Sequence, residues 1–201
     1  MSKNRLSEEV LFETKVHCLY LLDQFNKAPN TEERIRKHQM NYDYKNKIMD
    51  ANMLDEIKTK LLEFKTAIGT KNEGLLYQKV EECLNIPSIL ALTTEQGEAR
   101  RVYPRTDDPN YFIKLKCCVP LLEYSLSHPE HPIKDLINTI RTAESTDFIS
   151  SSIDNFKSEH VKPRSILGSI FSRDSLSQHL DKSSEIVDRL KQPDLRDQIS
   201  L

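Results

Sequence analysis

Leu54, Ile57, Leu61, Phe64 and Ile68, spaced by alternating steps of three and four, constrain this chain more than any other feature. That spacing follows the period of an α-helix and aligns all five side chains in one stripe. Ahead of them Met40, Tyr44 and Ile48 form a looser row, so residues 30–68 make one long helix or two helices meeting near Asn52. Asn30 with Glu33 supplies a capping box at the start, and Gly69 supplies a C′ stop just past Ile68. A helix with a single apolar stripe has to lie against another apolar surface.

The rest of the chain offers surfaces of the same kind. Leu11, Cys18, Leu22 and Phe25 share a helical face within residues 7–27, which Ala28-Pro29 ends. Leu76, Val80, Cys83 and Leu84 do so within 73–85, and Pro87 breaks that run before a short apolar turn at 88–92. Pro132 opens a helix carrying Ile133, Leu136, Ile137 and Ile140, and Ile149, Ile153 and Phe156 align within 146–159. A last helix, capped by Ser175 and Gln178, carries Leu176, Leu180, Val187 and Leu190, with Ser183 interrupting the stripe. Residues 111–119 fit two patterns. Tyr111, Ile113, Leu115, Cys117 and Val119 alternate like a strand, whereas Tyr111, Leu115, Cys118 and Leu122 fit a helix. Helical neighbours and the Asp108-Pro109 start favour the helix; as a strand, the segment would pair with residues 101–104 in a hairpin.

The expected fold is all-α: an irregular bundle of about seven helices, with a short β-hairpin near residues 100–119 as the variant. Four Gly and no Trp in 201 residues also point away from a turn-rich sandwich or barrel. Residues 1–160 are expected to form the main helical domain and residues 161–201 a C-terminal helical appendage with a loose tail. No internal repeat of fixed period is visible.

A net charge of −2 gives no bulk electrostatic drive toward nucleic acid. No apolar run approaches the length of a membrane span. Cys18, Cys83, Cys117 and Cys118 do not have the spacing of a disulfide framework, which suits a reducing compartment, the cytoplasm. The polar first residues lack the apolar run of a signal peptide, so export would take a leaderless route or translocation into a host cell.

No catalytic or cofactor motif is present, and neither cofactor nor metal is expected. Cys117-Cys118 with His128 and His131 comes nearest to a zinc set but lacks the Cys-x-x-Cys spacing. His17 and Cys18, neighbours on a helix, point about 100° apart and do not form a thiol–base pair. Two groups are candidate partner contacts. Arg100, Arg101 and Arg105 around Tyr103 suit an acidic surface. Leu176, Leu180, Val187 and Leu190 lie on a helix that a linker sets apart. The expected function is therefore a helical protein–protein interaction module: an adaptor, a chaperone-like subunit or a regulatory subunit. The alternatives are an effector translocated by an intracellular bacterium and a thiol-dependent enzyme using Cys117 or Cys118.

Overall fold

The computed structural model describes residues 2–25, 32–69, 74–92, 108–161 and 175–191. Among them the chain forms nine helices and no strand. Two compact units divide the chain, residues 1–107 and 108–201.

The first unit holds α1 (Ser2–Asp23), α2 (Glu32–Asp50), α3 (Leu54–Ile68), α4 (Leu75–Leu84) and the short α5 (Pro87–Leu90). The organising stretch is two helices. The chain turns at residues 51–53, where Met53 is extended (φ −144°, ψ 154°) and the Glu56 carboxylate accepts the Asn52 N–H at 2.8 Å. This division, with the separate α5, raises the helix count above the seven expected. α1 packs on α2 and α4, and α3 packs on the same two helices, closing a ring of four; α5 packs on α1, α3 and α4. Ile57, Leu61 and Phe64 are fully buried, joined in the core by Cys18, Leu22, Ile48, Val80 and Cys83. Gly69 ends α3 with φ +80°, a conformation that suits glycine because a Cβ would be strained there.

A lysine also lies inside this unit. Lys15 is 3% exposed, and its ammonium donates to the Met49 carbonyl at 2.7 Å. That carbonyl stands in the last turn of α2, where backbone acceptors have no partner within the helix and the dipole favours a cation. Burial pushes the Lys15 pKa down to about 8, and the charges of Asp50 and Glu56 partly offset it.

The second unit holds α6 (Tyr111–Ser127), α7 (Ile133–Arg141), α8 (Thr146–His160) and α9 (Ser175–Lys191). α6 packs on α7 and α9, and α8 packs on the same two helices. Residues 111–119 are helical, so they form no hairpin strand; Lys114 and Cys118, which the alternation would have sent outward, are buried because the helix is covered on several sides, while Phe112 stays exposed. Ile113, Lys114, Leu115, Cys117, Cys118 and Leu121 are all buried. Pro120 sits inside α6 and is buried. Ser145 caps α8 by accepting the Phe148 N–H at 3.2 Å. Lys114, 4% exposed, pairs with Asp108 at 2.5 Å and donates to the Arg141 carbonyl at 3.3 Å. The boundary between compact units falls at Asp107/Asp108, and α9, set apart with the C-terminal segment by its sequence context, packs within the second unit.

Candidate functional site

Arg100, Arg101, Tyr103 and Arg105 lie outside the described residues. Leu176, Leu180, Val187 and Leu190 are core: none is more than 3% exposed, and they hold α9 onto its own unit. Ser183, which interrupts their stripe in the sequence, is fully buried. Its hydroxyl meets the Cys117 carbonyl at 2.9 Å and the His179 carbonyl at 3.0 Å, so a small polar side chain is satisfied where α9 meets α6.

The cysteines are enclosed as well. Cys117 and Cys118 are fully buried. Burial, then the neighbouring Cys117, pushes the Cys118 thiol well above its ordinary range. Burial does the same to Cys83, reinforced by Cys18. A nucleophilic thiol needs the opposite, an exposed site that lowers its pKa. Cys18 also faces the core, while His17 is only partly buried, with its ring 6.3 Å from Tyr20.

His128 and His131 join a different group of side chains. The buried Tyr124 ring stacks on His128 at 4.1 Å and contacts His131 at 5.2 Å and His179 at 5.6 Å. His131 in turn approaches His160 at 5.7 Å and Phe156 at 6.0 Å. Glu123 stands 3.4 Å from the His179 Nε2. Residues 128–132, His-Pro-Glu-His-Pro, line an open depression of about 430 Å³ beside these rings. Among the described residues, no three His, Cys, Asp or Glu side chains come within reach of one metal ion. His160 and His179 enter this group from α8 and α9, and no spacing in the sequence links them to His128.

The outer face of α3 carries a second depression, about 510 Å³, lined by Thr59, Leu62, Glu63, Thr66 and Ala67. Because Ile57, Leu61, Phe64 and Ile68 point inward, this set projects from the opposite side of the helix. Leu62, one of the five, is 47% exposed. The hydroxyls of Thr59 and Thr66 already bond the Asp55 and Leu62 carbonyls, each at 2.9 Å. Lys60 and Glu63 pair at 3.2 Å on this exposed side. The sequence held one signal of this depression, a second leucine beside Leu61 on the side facing away from the stripe.

No helix among the described residues is long and apolar enough to cross a membrane. Comparison of the chain with known protein families, with curated proteins and with solved structures finds no match in any of the three.

Proposed function

We propose that the protein is a binding module that receives a helical segment of another protein on the outer face of α3. The observation that carries this reading is Leu62: a large, half-exposed apolar side chain in a depression otherwise lined by Thr, Ala and Glu. Removing its exposed half from water on docking would contribute about 2 kcal/mol at most, from the roughly 25 cal/mol per Å² of apolar burial. Small residues on either side let a partner helix approach closely, in the helix-in-groove manner. Arg100, Arg101 and Arg105 around Tyr103 provide a second contact in this reading, for an acidic region of the same partner.

The test is affinity capture from native lysate with the full chain beside Leu62→Asp, each first checked for an unchanged thermal midpoint. A protein captured stoichiometrically by the parent and lost by Leu62→Asp supports the site. A partner retained by both baits moves the site off α3, and a parent chain that captures nothing removes the reading. Replacing Arg100, Arg101 and Arg105 together by Ser should weaken the same capture; an unchanged yield would take that loop out of it.

A further inference from the structure

Each unit, taken by itself, contains a ring of four helices, to which the short α5 is added in the first, and the two rings have the same order of neighbours: α1, α2, α3, α4 in one and α6, α7, α8, α9 in the other. We infer that the two units are copies of one four-helix module. Shared packing order alone would be weak support, because any amphipathic helices can form a ring. Contacts with no such generic cause carry the inference.

The first is a buried lysine at one position. In α1, residues 14, 15, 16, 18, 19, 21 and 22 are buried; in α6, residues 113, 114, 115, 117, 118, 120 and 121 are buried in the same succession. Lys15 and Lys114 stand at matching places in these runs, and each donates to the last-turn carbonyl of the next long helix, Met49 in α2 and Arg141 in α7. Buried lysines are rare unless paired, so two on the same helical register with the same kind of acceptor are not explained by amphipathicity.

The chain beyond those two carbonyls matches as well. Two residues on comes a buried alanine, Ala51 or Ala143. Next comes an extended N-cap, Met53 (φ −144°, ψ 154°) or Ser145 (φ −144°, ψ 158°), and then a 15-residue helix. Ile57, Leu61 and Phe64 in α3 and Ile149, Ile153 and Phe156 in α8 are buried at equal intervals. Counting on without a gap pairs Lys65 with Lys157. Both bridge from the third helix to the fourth, Lys65 to Glu81 and Lys157 to Asp181.

The fourth helices close the correspondence. Leu76, Val80 and Cys83 match Leu176, Leu180 and Ser183 in spacing and burial. The Cys83 sulfur lies 3.8 Å from the Cys18 carbonyl, and the Ser183 hydroxyl lies 2.9 Å from the Cys117 carbonyl. Cys18 and Cys117 are themselves equivalents, three residues after the buried lysines.

Such a repeat agrees with the absence of a fixed period in the sequence, and the spacings show why none is visible. Lys15 and Met49 are 34 positions apart, whereas Lys114 and Arg141 are 27 apart. The contact between fourth and first helices nevertheless spans 65 positions in one unit and 66 in the other. The copies differ in the length of the second helix, 19 residues in α2 against nine in α7, and in their connections, which are longer before α9 than before α4; these differences nearly cancel over the whole module but spoil any fixed offset. They also differ on the surface. Leu62, Thr66 and Ala67 of α3 correspond to Asp154, Ser158 and Glu159 of α8, all exposed. The fold therefore accepts an aspartate where the first copy has Leu62.

The inference is tested in the full chain, without any partner, so its outcome is separate from that of the proposed docking on α3. In Cys83→Ser the introduced hydroxyl should reach the Cys18 and Lys79 carbonyls as Ser183 reaches its own two. Amide hydrogen exchange in α1 and α4 should then report an unfolding equilibrium changed by less than about threefold. A crystal structure of the same variant supplies the second measurement. When α2–α3 are superposed on α7–α8, α1 should fall on α6 and α4 on α9, with the introduced hydroxyl on the Cys18 carbonyl. A first or fourth helix that departs from its counterpart overturns the inference. So does an introduced hydroxyl turned away from Cys18 together with a loss of tenfold or more.

Discussion

Both units bury a lysine against the end of a helix, but they hold the charge differently. Lys114 has a carboxylate in contact, Asp108 at 2.5 Å, in addition to the Arg141 carbonyl. Lys15 has the Met49 carbonyl at 2.7 Å, with the charges of Asp50 and Glu56 only partly offsetting burial, and its pKa falls to about 8. A helix end can therefore hold a lysine in a core in two ways. One satisfies the charge on the spot; the other leaves part of the desolvation cost standing. The first should be harder to lose.

The largest effects should be equal in the two units. Ile57 and Ile149, both fully buried at matching positions, should each cost about 2–4 kcal/mol when replaced by Ala. Hydrogen exchange read separately in α2–α3 and α7–α8 is the suitable measurement, because two units need not unfold together. A gap of more than about 2 kcal/mol between the paired losses would break the comparison, given the usual spread of cavity costs.

The lysines should then separate the units. Lys114→Met strands Asp108, whose side chain is 25% exposed, and should cost the second unit about 2–3 kcal/mol, less than a fully buried orphan charge. Lys15→Met removes a desolvated charge but also the donor to the buried Met49 carbonyl, and the two nearly offset, so it should cost the first unit about 1 kcal/mol at pH 7, less than Lys114→Met costs the second. Equal losses measured by urea titration with unit-resolved exchange would show that the carboxylate contact does not matter.

A pH series sharpens the same contrast. Between about pH 8 and 10.5 the unfolded chain keeps the Lys15 proton that the folded chain releases, so this group makes stability rise with pH. The whole shift corresponds to about 3 kcal/mol. Buried Cys83 acts in the opposite sense, since its thiol stays protonated in the fold after the unfolded thiol ionises near pH 8.5. Subtracting the curve of Lys15→Met from that of the parent cancels the thiols. The difference should move in favour of the parent by about 1–3 kcal/mol from pH 7.5 to 10. A flat difference would mean that Lys15 titrates like a solvated lysine.

The smallest effect belongs to the surface that distinguishes the copies. Leu62→Asp gives α3 the residue that α8 carries at Asp154, and should alter stability by less than about 0.5 kcal/mol. Its influence should appear in partner capture alone. A loss of stability above about 1 kcal/mol would show that Leu62 supports the fold and would weaken its case as a docking residue.

The helical class was legible in the sequence, as were the inward stripe of α3, its end at Gly69 and the helices at 133–141 and 146–160. Each depends on side-chain period and caps, which act within a turn or two of chain. Residues 111–119 were balanced between two periods, because a helix buried on several sides shows neither one cleanly. The candidate site was largely illegible. Leu176, Leu180, Val187 and Leu190 formed a visible stripe, but the pattern is the same whether it meets its own unit or a partner.

The amino-acid order by itself determined where helices form and which face of each is apolar, because both follow from interactions between residues three and four positions apart. Tertiary structure decided what those faces meet. It placed Lys15 and Lys114 beneath carbonyls 34 and 27 positions away, brought Ser183 to the Cys117 carbonyl, set His160 beside His131 and His179 beside Tyr124, and left Leu62 outside. A buried charge or hydroxyl is tolerated only when an acceptor stands at bonding distance. That distance is set by how helices pack after connections of unequal length, which no local pattern encodes.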